Sequence, residues 1–181
     1  MTVTLRPITA SDIPQAKQLF LTAFPPEERP PFWLFKRKSY LPCSDWLSII
    51  HDDTWIGFFY LITNEDIAYL FFFAIQDEFR GKGYGSLALT ELKKRYSGKR
   101  LFLAIEPPDD PCENHDQRIK RKAFYIRNGF EDLSQKVQEG NVVYDLLGIG
   151  GKILAREYES LVKKWAGWIF YIWVTIKMVK E

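Results

Sequence analysis

Cysteine, histidine and methionine are scarce, with two of each in 181 residues. Cys43 and Cys112 are too few for a disulfide scaffold and form no Cys-x-x-Cys pair, so neither a stapled secreted fold nor a metal centre is expected. Two reduced thiols fit a cytoplasmic protein. Excess charge is also missing. The 25 basic and 23 acidic residues leave a net charge of +2, which argues against a nucleic-acid binder. A secretory signal is not expected, since Met1-Thr-Val-Thr-Leu-Arg-Pro-Ile8 carries a charge and a proline where an apolar run would stand. The apolar stretch from Trp165 to Ile176 is about a dozen residues long, short of the ~20 of a spanning helix. What is present is apolar and aromatic. Hydrophobic residues make up 46% and aromatics 16%, enough to exclude a disordered chain and to build one core at this length.

The pattern along the chain predicts a short strand over Val3 to Pro7. A helix follows, with capping side chains in Thr9-Ala-Ser-Asp12 and a proline in its first turn. Ile13, Ala16, Leu19, Phe20 and Ala23 recur at helical spacing, and Pro25-Pro26 ends the run. Pro25 to Pro42 reads as a loop with a short helix near Phe32 to Ser39. Trp46 to Ile50, Trp55 to Thr63 and Ile67 to Ile75, separated by polar turns, form an antiparallel meander. Gly83 to Tyr96 is helical, Leu101 to Ile105 a strand buried on both faces, and Asp116 to Asn128 helical again. Phe130 onward and Asn141 to Leu147 give a last hairpin. Strand, glycine turn, helix, strand is a crossover, so the strands ending near Ile75 and Ile105 are expected to be parallel neighbours.

The strongest local signal is Gln76-Asp-Glu-Phe-Arg80-Gly-Lys-Gly-Tyr-Gly85-Ser86. Glycines at 81, 83 and 85 let backbone amides approach a ligand, and the helix they open favours a phosphate at its N-terminus. Arg80 and Lys82 add positive charge. A pyrophosphate suits this turn. A P-loop is excluded, because Lys82 is followed by Gly83 and not by Ser or Thr. A dinucleotide fingerprint fits poorly, with Ser86 at its third glycine position and Gln76 to Arg80 between strand and first glycine, although Glu106 stands where a ribose-binding acid would.

Arg80-Gly-Lys-Gly-Tyr-Gly85 resembles the Arg/Gln-x-x-Gly-x-Gly/Ala loop of the GNAT acetyltransferases. Ala123-Phe-Tyr-Ile-Arg-Asn-Gly-Phe130 resembles their Phe-Tyr-x-x-x-Gly-Phe signature, and Leu5-Arg-Pro-Ile-Thr-Ala-Ser-Asp12 their opening strand and helix cap. The resemblance covers about residues 3–147. It implies a mixed α/β (α+β) fold, the GNAT acyl-CoA N-acyltransferase fold, with a central sheet of six to seven strands flanked by helices. Residues 1–149 would be the acetyltransferase domain and 150–181 a C-terminal amphipathic extension. The implied activity is transfer of an acetyl group from acetyl-CoA to a small-molecule or peptide amine, by direct attack and without a metal. The alternative is an acyl-CoA-binding sensor or interaction module without turnover.

The resemblance also assigns residues. Arg80, Gly81, Lys82, Gly83, Tyr84, Gly85 and Ser86 would hold the pyrophosphate. The strand Leu70 to Ile75 would splay from Leu101 to Ile105 and admit the pantetheine arm, with backbone groups of Phe73, Ala74 and Ile75 as contacts. Tyr125 matches the general acid toward the leaving thiolate. Where the family often has Asn and Ala, seven and four residues before this tyrosine, stand Arg118 and Arg121. This basic pair meets the CoA phosphates or is a solvated face. Periodicity puts Arg118, Arg121 or Lys122, and Tyr125 on one stripe, with Ile119, Ala123 and Ile126 on another expected to pack on the sheet edge. Glu106, ending a buried strand, is the candidate base for the amine, ahead of Glu65, Asp66, Glu78, Asp109 and Asp110. His51 and His115 read as turn residues. In the loop expected to border the acceptor, Glu27, Glu28, Phe32, Trp33 and Tyr40 suit a cationic amine, whereas Lys36-Arg-Lys38 opposes one, so no specific acceptor is inferred. Leu154, Tyr158, Leu161, Trp165, Trp168 and Ile172 give the extension a helical pattern, with a strand equally compatible beyond Gly167. It would pack on its own domain or on a dimer mate, or, with Lys163-Lys164 and Lys177 flanking the aromatics, touch a membrane surface.

Overall fold

Proline and β-branched runs break this chain into short elements, and the computed structural model shows how they assemble. It describes residues 2–26, 29–108, 114–139, 142–167 and 176–179. Glu27, Glu28, Asp109, Asp110, Cys112, Asn141, Trp168 and Ile172 lie outside the described residues. The chain divides into two units, Met1–Ile62 with Leu70–Ser97 and Thr63–Tyr69 with Gly98–Glu181.

In the first unit, β1 (Thr4–Pro7) pairs antiparallel with β2 (Ser44–His51), and β2 with β3 (Thr54–Thr63). β4 (Ile67–Ile75) follows β3 in the sheet. Gly57 on β3 explains the close fit of these strands: a Cβ there would stand 2.3 Å from the carbonyl oxygen of Ala74. Three helices belong to this unit, α1 (Ile13–Ala23), α2 (Phe32–Lys38) and α3 (Tyr84–Arg95). The abundant aromatics form its core. Phe20 of α1 meets Phe35 of α2 at 4.4 Å, Phe35 meets Tyr60 at 4.4 Å and Trp46 at 4.9 Å, and Phe72 closes the cluster at 5.3 Å from Phe20. Each such pair adds about 0.5–1.5 kcal/mol beyond its buried area.

The expected cap of α1 behaves differently. Asp12 already has helical backbone angles, so its side chain makes no cap hydrogen bond. Its buried carboxylate accepts from Arg6 at 2.6 and 2.9 Å, from the amide and hydroxyl of Thr9, and from the hydroxyl of Ser48. It pins β1 and β2 to the helix entrance.

The second unit holds the start of β4 with β5 (Arg100–Ile105), α4 (His115–Arg127), β6 (Glu131–Glu139), β7 (Val142–Ile149), α5 (Ala155–Ala166) and β8 (Ile176–Val179). β4 and β5 are parallel, as the crossover requires, through Ile67↔Arg100, Ala68↔Leu101 and Tyr69↔Phe102. β7 inserts antiparallel between β5 and β6, and β8 pairs antiparallel with β6, giving the order β4-β5-β7-β6-β8. Among the described residues, seven strands precede Gly150 and an eighth follows α5.

Within this unit α5 is held by charge and hydrogen bonds. Arg100 pairs with Asp66 and with Glu157, 2.7 Å away, and donates to the carbonyl of Lys152 at 2.8 Å. The carboxylate of Glu139 accepts from the hydroxyls of Tyr69 (3.1 Å) and Tyr158. A bulge in β6, with Ser134 at a φ of 51°, turns the Gln135 amide onto both backbone groups of Ile153.

Candidate active site

The turn after β4 is shaped by its own short-range chemistry. The amide of Gln76 donates to Ile56 at 2.9 Å, prolonging the β3–β4 ladder. A single 3-10 turn over Asp77–Phe79 follows. Arg80 folds back, its Nε donating to the carbonyl of Ile75 at 2.9 Å and its Nη1 pairing with Asp77 at 2.7 Å. That guanidinium shapes the turn, and the carbonyl of Ile75 already has a donor.

Gly81 and Gly83 have φ of 71° and 86°, angles that favour glycine, and a Cβ on either would meet nothing within 4 Å. The turn therefore opens into free space, with residues 80–83 exposed. The amide of Arg80 donates to Asp77, and those of Ser86 and Leu87 to Gly83. Among the described residues the amides of 81–85 have no acceptor, and those of Tyr84 and Gly85 begin α3. Five amides at a helix N-terminus beside Lys82 match the chemistry of a diphosphate. Two expected donors, the amides of Arg80 and Ser86, are already used by the turn. The ring of Tyr84 is buried against His51 at 4.6 Å and Phe79 at 5.6 Å. His51 is thus a support of α3, its Nδ1 2.8 Å from the carbonyl of Thr2. No local sequence signal marks that role, because it arises from the long-range placement of β2 beside α3.

Phe73, Ala74 and Ile75 belong to the first unit with this turn, whereas Glu106, Arg118, Arg121 and Tyr125 belong to the second. The face that α4 buries is opposite to expectation. Ile119 and Ile126 are 46% and 43% exposed, while Tyr125 is 9% exposed. The reason is charge pairing. Lys122 binds Asp132 at 2.7 Å and the buried Asp145 at 3.2 Å, and Arg118 Nη2 donates to Glu106 Oε1 at 2.6 Å. These pairs turn the polar stripe inward at the expense of two isoleucines.

Tyr125 stands edge-on to Phe130 at 5.5 Å and to Phe124 at 5.2 Å. Burial raises its hydroxyl to a pKa of about 12, against a smaller opposing pull from Arg121. Proton transfer to a thiolate of pKa ~8.5 is then uphill by roughly 5 kcal/mol, so this hydroxyl suits hydrogen-bond donation better than full proton release. Arg121 is exposed, and Arg118 is not: both it and Glu106 have side chains 13% exposed. Among the described residues no cluster of three or more His, Cys, Asp or Glu could hold a metal ion. No helix among them is long and apolar enough to cross a membrane.

Comparison with known proteins agrees with this architecture. The acetyltransferase (GNAT) family model matches residues 13–130. A protein assigned to the GNAT family of acetyltransferases from Bacteroides thetaiotaomicron superposes with a TM-score of 0.70 at 25% identity, over 92% of this chain and 98% of that one. A spermidine N-acetyltransferase variant from Vibrio cholerae is similar in fold, with a TM-score of 0.62 at 15% identity over 82% and 93% of the two chains. So is an acetyltransferase from Elizabethkingia anophelis solved with acetyl-CoA bound, with a TM-score of 0.53 at 15% identity over 82% and 97%. Among proteins of curated function, none matches the sequence.

Proposed function

This chain belongs to the GNAT acetyltransferase family, and from that premise we propose that it moves an acetyl group from acetyl-CoA to a primary amine by direct attack in a ternary complex. The observation that carries the reading is the open turn before α3. Its amides from Gly81 to Gly85 have no acceptor among the described residues, and the space beside Gly81 and Gly83 is open there. In this reading those amides hold the diphosphate, with Lys82 and the hydroxyl of Ser86 beside them. Arg80 keeps the turn in shape. Backbone groups of Phe73, Ala74 and Ile75 contact the pantetheine and thioester, where one well-aimed amide stabilises an oxyanion by a few kcal/mol. Tyr125 donates a hydrogen bond to the departing sulfur, Glu106 takes the amine's proton, and exposed Arg121 meets phosphate.

The acceptor is a small-molecule or peptide amine, and a polyamine of the kind named for the Vibrio relative is a sound first trial. Residues 1–149 form the catalytic domain. Within the second unit α5 packs beside β5 and β6, and the enzyme works in the cytoplasm. Acetyl-CoA binding by calorimetry and thiol release over an amine panel test the reading. Binding with thiol release supports it. Binding without release for any amine favours a sensor module, and no binding overturns both.

A further inference from the structure

We propose that Arg118 is a positioning residue for Glu106 and not a contact to the phosphates of the co-substrate, an inference that rests on the reading above. Its guanidinium forks between two groups at the exit of β5. Nη2 donates to Glu106 Oε1 at 2.6 Å, and Nη1 donates to the carbonyl of Pro107 at 3.3 Å. The first is a charge-assisted hydrogen bond, shorter and stronger than a neutral one. Both side chains are 13% exposed. Nε of Arg118 is buried with no acceptor among the described residues, and the head group is held at this place by its two Nη contacts. To reach a phosphate, the guanidinium would have to leave a largely buried carboxylate unpaired, which is strongly unfavourable. The other cations of α4 divide accordingly. Lys122 is held by Asp132 and Asp145, whereas Lys120, Arg121 and Arg127 are exposed.

The consequence is chemical. With Oε1 engaged, Oε2 is the oxygen that receives the proton of the incoming ammonium. The freed nitrogen lone pair attacks the thioester carbon, and the C–S bond breaks with its electron pair on sulfur. The second nitrogen proton passes to that thiolate, while the proton on Glu106 is released to water. Arg118 fixes the plane of the carboxylate and the backbone after it, and a misplacement of about 1 Å costs on the order of a hundredfold in rate.

The test uses the full chain with an amine that supports thiol release. Arg118→Gln should lower kcat about a hundredfold and leave the Kd for acetyl-CoA, measured by calorimetry, within about twofold. Arg118→Lys, which keeps the charge but not the fork, should recover part of the loss and covers the case in which the Gln variant does not fold. In a Glu106→Gln background, Arg118→Gln should have little further effect, because residues acting through one another are not additive. A tenfold or greater rise in Kd for Arg118→Gln with kcat preserved, or additive losses in the double variant, would overturn the assignment and leave the acetyltransferase reading intact. If the unaltered chain releases no thiol with any amine, both fall.

Discussion

Tyr125 carries its hydroxyl proton to a pKa of about 12 because its ring is buried. The group is therefore a neutral donor throughout the range where an amine acetyltransferase works. Tyr125→Phe should lower kcat by about ten- to a hundredfold with acetyl-CoA affinity unchanged, since the variant loses only the one hydrogen bond proposed to the leaving sulfur. Thiol release and calorimetry on the same preparation check this. The raised pKa also links to stability. The unfolded chain loses this proton near pH 10, before the folded one, so the contribution is whole below pH 10 and is lost as pH rises toward about 12. Tyr69 and Tyr158, raised by burial and by Glu139, act in the same direction. Unfolding by denaturant should show stability falling above pH 10, less steeply in Tyr125→Phe. At Gly83 the expected effect falls on binding. Alanine at a φ of 86° costs about 1–2 kcal/mol of strain, and its methyl group would enter the space assigned to the diphosphate. Acetyl-CoA affinity should drop at least about tenfold, on the order of 1.4 kcal/mol, which calorimetry would detect.

Among the elements, β3 and α4 show how tightly each position is specified. Gly57 admits no side chain, because a Cβ would overlap the carbonyl of Ala74 at 2.3 Å and the Cα of Ile75 at 3.1 Å. Gly57→Ala should cost about 3 kcal/mol or more in thermal or denaturant unfolding, since the obstacle is backbone and has no rotamer to move. It should also disturb the strand assigned to the thioester. Along α4 the tolerance is reversed. Ile119→Lys and Ile126→Lys should change stability by no more than about 0.5 kcal/mol, because both side chains face solvent. A helix packed by its apolar stripe, as the sequence pattern suggested, would lose several times that, so the same unfolding measurement separates the two orientations.

At the scale of the whole molecule, α5 is held within the second unit by polar contacts. Glu139, its carboxyl raised by burial, serves two tyrosine hydroxyls, one from β4 and one from α5. Tyr158→Phe removes one donor and should cost about 1–3 kcal/mol, seen as a lower Tm. The element order was legible in the sequence almost to the residue. The run from Ile67 to Ile75 is β4, the glycine turn opens α3, and the parallel pairing of β4 with β5 follows from the helix between them. The glycine turn was legible as well, because left-handed turns and helix starts are written in neighbouring residues. Less of the candidate site could be read. The expected role of Arg118 toward phosphate is met by a guanidinium already held at Glu106, and His51, assigned to a turn, supports Tyr84.

By itself, then, the sequence determined the periodicities, the breaks and the turn chemistry, since these depend on residues within a few positions of one another. Tertiary structure decided which stripe of α4 faces inward and which carboxylate Arg118 holds. Those outcomes depend on charges brought together from separate strands. Glu106, Asp132 and Asp145 compete with two isoleucines for one helix face, and the balance is set by pairings that no local pattern records.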